Sequence, residues 1–160
     1  MVRPTPCPGF TLFELALVLA VAAVLAGLTV PGFERFRREL QLSRSANSLL
    51  VALHQARSAA LSRGVPVVLS REAGGWQVHA EQGDGQELLS QTELPGGISV
   101  QGNRSHVTFW PATRAGTTAT FTLCDALHLA APRAIIVSQT GRPRSSRASA
   151  DGNALECSDG

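Results

Sequence analysis

The run from Phe10 to Val30, FTLFELALVLAVAAVLAGLTV, restricts this chain more than any other feature. It holds 21 residues and a single charge, Glu14. As a helix it would be about 31 Å long, the thickness of a bilayer's hydrocarbon core. No second run of that length follows, so a polytopic membrane protein is excluded. A carboxylate in hydrocarbon costs on the order of a few kcal/mol, so its default reading is functional. Three readings of the run compete. Residues 1–22 would form a secretory signal, with Ala20-Val21-Ala22 as a loose small-x-small cleavage pattern, but the apolar stretch continues past it. A plain membrane anchor leaves Glu14 without a role. Cleavage between Gly9 and Phe10 would put a new amine four residues from Glu14. Amine and carboxylate of adjacent subunits would then neutralise each other within the membrane.

The segment Gly9-Phe10-Thr11-Leu12-Phe13-Glu14 closely resembles the processing signal of type IV prepilins and pseudopilins. The resemblance implies cleavage after Gly9 by a membrane prepilin peptidase and N-methylation of Phe10. It also implies that Glu14 sets register between subunits in a filament. Pro31 fits the helix-kinking proline of that family; on its own terms it is a helix break at the membrane edge. The fold expected is α+β and type IV pilin-like: a long N-terminal helix, its first half transmembrane, packed on a small antiparallel β-sheet head. The domains expected are a cleaved leader (1–9), a transmembrane segment (10–31), an amphipathic helix half (32–64) and a β-rich head (65–160).

Past the membrane, Phe33, Phe36, Leu40, Leu50, Leu53 and Ala60 recur at three- and four-residue steps with a weak middle from Ser43 to Asn47. This stripe is expected to face the sheet. Arg35, Arg37, Arg38, Arg44, Arg57 and Arg63 fall mostly off it and read as a solvated face. Gly64 and Pro66 stop the helix. Strands are expected near 65–69, 76–80, 87–90, 98–100, 107–110, 119–123 and 134–138, with a turn at Gly83-Asp84-Gly85. The small polar residues 145–154 read as mobile.

Removing residues 1–9 also removes Cys7 and leaves the pair Cys124 and Cys157. A head outside the cytoplasm sits in an oxidising space, so these two are expected to bridge. The bridge would close a loop of about 34 residues, worth roughly 3.8 kcal/mol in the loop-entropy model, and pin the C-terminal tail to the sheet.

Enzyme signals are weak. The chain has no Cys-x-x-Cys, His-Glu-x-x-His or Gly-x-Ser-x-Gly pattern, and His54, His79, His106 and His128 lack ligand spacing. No catalytic residue, metal or cofactor is expected. Asn103-Arg104-Ser105 matches a glycosylation sequon, a pattern short enough to arise by chance. The formal net charge is only +2, but every basic residue is arginine and none is lysine. Arginine holds phosphate in a fork that lysine cannot form. Between Asp125 and Asp151 there is no acid, whereas Arg133, Arg142, Arg144 and Arg147 all fall there. Hydroxyl residues alternate with these arginines, a composition suited to phosphate contacts. The strip has no aromatic residue for base stacking, so reading of base sequence is not expected.

Thr122-Leu123-Cys124-Asp125, Arg133 with the Ile-Val-Ser run, and Gly141-Arg142-Pro143-Arg144 are similar to the GspH/FimT family of minor pilins, as is Ala56–Gly64 at the helix end. In the FimT branch, a Gly-Arg-x-Arg motif is associated with DNA binding in natural transformation. That carries over to Gly141, Arg142 and Arg144; Arg133 and Arg147 join them by charge and proximity. The partners expected are double-stranded DNA bound without sequence preference, other major and minor pilins, the prepilin peptidase, and the inner membrane before assembly. The alternatives are a structural subunit that primes pilus assembly and a minor pseudopilin of a type II secretion system. In each case Glu14→Ala should still be cleaved to mature size but enter filaments poorly, as immunoblots of whole-cell and sheared-filament fractions would read. Normal incorporation would remove the register role from Glu14.

Overall fold

The computed structural model describes residues 10–72, 74–83, 85–111 and 116–157, with only the backbone described at 28–31. The expected leader, with Gly9 and Cys7, lies outside the described residues, as does Asp84 of the expected turn. The chain divides into two compact units, Met1–Phe36 and Arg37–Gly160.

A single helix, α1 (Leu12–Arg63), begins in the first unit and ends in the second. Thr11 caps its start: the Thr11 Oγ1 accepts the Glu14 backbone N–H at 3.3 Å. This is half of a Thr-x-x-Glu capping box, in which the hydroxyl satisfies a helix N–H that has no partner within the helix. Every described side chain from Phe10 to Gly27 is exposed. The helical assignment continues through Pro31 without a break. Gly64, at φ 69°, ends the helix and donates its N–H to the Ala60 carbonyl at 3.1 Å. Glycine takes this left-handed conformation at no steric cost.

In the second unit two four-stranded antiparallel sheets share one core. The first holds β1 (Val67–Glu72), β2 (Gly75–Gln82), β3 (Gly85–Glu93) and β5 (His106–Phe109), in the order β3-β2-β1-β5. The second holds β4 (Ile98–Gly102), β6 (Ala119–Asp125), β7 (Arg133–Val137) and β8 (Pro143–Ser146), in the order β4-β6-β7-β8. The chain therefore changes sheet three times, between β3 and β4, between β4 and β5, and between β5 and β6. Arg71 ties the sheets at the β4–β5 crossing. Its N–H donates to the Ser105 carbonyl at 2.8 Å and its Nη1 to the Val100 carbonyl at 2.7 Å.

The helix face that meets the core is Leu42, Ala46, Leu49, Leu53, Ala56 and Ala60, all at most 1% exposed. Val67, Leu69, Val78, Val107 and Phe109 meet it from the first sheet, and Phe121, Leu123, Ile135 and Val137 from the second. Leu53 and Ala60 of the expected stripe lie in the core and Leu50 packs against it, but Phe33 and Phe36 are 64% and 62% exposed, Leu40 is also exposed, and Ser45 and Ala46 of the weak middle are buried. Half of this face is alanine, whose small side chain is hidden from a search for large apolar residues.

Arg38 also departs from the expected solvated face. Its Nη1 lies 3.8 Å from Oδ1 of Asp125, whose side chain is 1% exposed. Asp125 Oδ2 accepts the Leu129 N–H at 3.0 Å. The guanidinium fits over Gly97, where a Cβ would come within 2.6 Å of Nη1. A buried carboxylate needs a countercharge, and the helix supplies it.

The tail is ordered rather than mobile. Ser145 and Ser146 belong to β8, and residues 148–154 form a turn in which Ser149 N–H donates to Asn153 O and Gly152 N–H to Ser149 O. Cys157 is bonded to Cys124, with 5.9 Å between the Cα atoms. Strand alternation points Cys124 away from the helix, on the face of Thr120 and Thr122. The tail thus runs from the β8 edge past β7 to β6. Ala134 and Ile136, which share that face, are buried although they are not part of the helix-side core.

Two outcomes are expected in chemical denaturation of the full-length protein in detergent. Arg38→Ala should lose about 3 kcal/mol by leaving Asp125 buried without a countercharge, whereas Arg37→Ala should stay within about 0.5 kcal/mol. Replacing both Cys124 and Cys157 by serine should lose about 3 kcal/mol and expose Ile136 to solvent.

Candidate functional site

The hairpin that joins β7 to β8 is held by its own loop. Ser138 and Arg142 exchange backbone contacts, with Ser138 N–H donating to Arg142 O at 3.2 Å. Gly141 N–H donates to Ser138 O at 2.8 Å, and Gly141 takes φ 66°, which favours glycine. The hydroxyls of Ser138 and Thr140 lie 2.9 Å apart, and Ser138 Oγ also accepts the Arg142 N–H at 3.3 Å. These hydroxyls are thus occupied within the loop, where the sequence had offered them as phosphate ligands.

Pro143 opens β8, the edge strand, opposite Val137. Proline has no N–H to donate, and an edge strand is where a sheet tolerates it. Its side chain is buried, while Arg142 and Arg144 on either side of it are exposed. Arg144 lies on β8 and Arg142 just before it, two residues or about 7 Å apart along the chain.

The four arginines singled out in the sequence do not form one group. Arg142 and Arg144 lie toward the hairpin loop. Arg133 starts β7 and Arg147 follows the last residue of β8, at the other end, where Ala134 pairs with Ser146. That end neighbours Leu123 and the buried Asp125. None of the four guanidinium groups has a hydrogen bond or ion pair among the described residues.

A further arginine lies at the loop end. Asn103 continues the β4–β6 pairing: its N–H donates to Thr120 O at 3.3 Å, and its Oδ1 accepts the Thr120 N–H at 2.9 Å. The sequon asparagine is thereby used as a strand extension. Next to it, Arg104 Nε donates to Thr118 O at 3.0 Å. Sequence reading passed over Arg104 because it stands well upstream of the arginine strip and beside no other basic residue.

The remaining candidates are separate. Phe10 is 84% exposed, and the Glu14 side chain is exposed on the first helical turn. His79 Nε2 lies 3.1 Å from Gln77 Oε1, and His106 Nδ1 lies 3.3 Å from Ser105 Oγ. Among the described residues no three His, Cys, Asp or Glu side chains converge as metal ligands.

The family model described as type II transport protein GspH matches residues 45–141. The pilin-like protein PilA1 of Thermus thermophilus is 30% identical over 155 residues, covering 85% of this chain and 96% of that protein. The type IV minor pilin FimU of Pseudomonas aeruginosa superposes with a TM-score of 0.58 at 20% identity, covering 69% of this chain and 92% of that one. The minor pseudopilin EpsH from the type 2 secretion system of Vibrio cholerae gives 0.59 at 12% identity, covering 66% and 96%. These two structures share the fold: a long helix against antiparallel sheets. The sequence matches extend the kinship to the family, and the chain belongs to the GspH family of type IV minor pilins and pseudopilins.

Proposed function

We propose that this minor pilin binds double-stranded DNA through Arg142 and Arg144 and serves its uptake in natural transformation, as in the FimT branch. One observation carries the reading: Arg142 and Arg144 are both exposed, flank the buried proline that opens an edge strand, and have no partner among the described residues. Their spacing of about 7 Å along the strand is comparable to the step between successive phosphates of one DNA strand. Binding is electrostatic and independent of base sequence. Gly141 supports the motif by letting the loop turn tightly, which sets where Arg142 begins. Arg133 and Arg147 add charge farther along the hairpin.

Membership of the family carries association with other pilins or pseudopilins. We propose that the chain is anchored in the inner membrane by residues 10–31 with its head in the periplasm, and later stands in a pilus at the cell surface. Prepilin peptidase removes residues 1–9 and methylates Phe10, and Glu14 pairs with a neighbouring N-terminal amine. The exposure of Phe33, Phe36 and Leu40 favours a second reading, in which the helix packs on other pilins and the protein primes assembly at the filament tip or acts in a type II secretion system.

The test is binding of a short duplex to the full-length protein in detergent across a salt series. Each phosphate contact contributes a slope of about −0.9 in log K against log salt, so two contacts predict about −1.8 and four about −3.6. Arg142→Gln with Arg144→Gln should flatten the slope by about 2 without unfolding the head. A flat wild-type dependence, or one unchanged in the double variant, would overturn the reading in favour of the assembly role.

A further inference from the structure

We infer that the polyanion surface of this protein is assembled from three chain segments, and that Arg104, at the crossing between the sheets, supplies a third phosphate contact beside Arg142 and Arg144. The inference rests on the DNA reading above and extends it to a residue outside the C-terminal motif. Strand register brings the three together. Ala119 pairs with Val137, and Val137 with Pro143, so the positions just beyond them, Thr118, Ser138 and Arg142, form a row across the end of the second sheet. The Arg104 guanidinium is bound to the Thr118 carbonyl at 3.0 Å, two strand spacings or about 10 Å from Arg142. Arg104 thus stands beside the motif in space although it is far from it in sequence.

Two observations make this end of the sheet a joint surface. Gly116 packs directly on the hairpin loop: a Cβ there would lie 3.1 Å from the Gly141 Cα. The turn that aims Arg142 is therefore braced by the segment that receives Arg104. The segments that form the row, Gly102–His106, Gly116–Thr120 and Ser138–Arg144, contain no Asp or Glu. Three arginines on such a surface attract a polyanion with nothing on those segments to oppose it. Nε is engaged, but an arginine has four other N–H donors, and those of Arg104 have no other partner among the described residues. The hydrogen bond to Thr118 orients the group, so less freedom is lost when phosphate binds.

The experiment compares Arg104→Gln with Arg104→Lys in the full-length protein, using a short mixed-sequence DNA duplex over a salt series. Both variants lose the Nε bond to Thr118, so a difference between them reads charge at this position and not the fold. Arg104→Gln should reduce the salt slope by about 1 and weaken binding at low salt, while Arg104→Lys should keep the wild-type slope. Equal slopes for wild type, Gln and Lys, with binding still lost in the Arg142/Arg144 double variant, would overturn the role of Arg104 and leave the motif reading intact. A wild type that does not bind DNA would overturn both.

Discussion

The alanine-rich face of α1 is the contact on which the head depends. Leu42, Ala46, Leu49, Leu53, Ala56 and Ala60 touch strands of both sheets, so this one helix face joins two sheets into one core. Leucine and alanine share this face equally, and Phe109, Phe121 and Leu69 pack into the same core from the sheet side. The Arg38–Asp125 pair works at the N-terminal end of the same contact. It places a helix charge against a carboxylate that strand β6 carries into the interior. Burial of the aspartate makes the position of the helix against β4 and β6 specific, because a shift would leave that charge without its counterpart.

From that core follow the features that bear on function. The sheet change between β4 and β5 delivers Arg104 to the end of the second sheet, and the β7–β8 hairpin delivers Arg142 and Arg144 to the same end. The opposite end is occupied by Asp125, Arg38 and the start of β7, with Arg133. The disulfide acts on the far face of the second sheet, which also carries the buried Ile136 and Ala134. A covalent tie suits a segment as poor in large side chains as SSRASADGNA.

The apolar helical run, the helix stop at Gly64 and seven of the strands were legible in the sequence, because each rests on local chemistry: unbroken apolarity, a left-handed glycine, alternation. The core face of the helix was legible only in part: Leu53 and Ala60 were on the expected stripe, but Leu42, Ala46, Leu49 and Ala56 were not, and Phe33 and Phe36 drew the stripe onto exposed positions. Strand β8 was hidden by its composition. Pro-Arg-Ser-Ser carries no strand preference and pairs only because β7 offers it an edge. The role of Arg38 depends on Asp125, 87 positions away, and no periodicity links the two.

The sequence by itself determined that this chain has one apolar helix with an acid near its start, a glycine-bounded β head and a C-terminal stretch of arginines without acids. Those are properties of neighbouring residues, and they hold whatever the packing. Only the tertiary structure decided which arginines stand near one another. Strand register sets Arg104 beside Arg142 and separates Arg133 and Arg147 from them, because hydrogen-bonded ladders bring distant residues to one sheet end and carry sequence neighbours to the other.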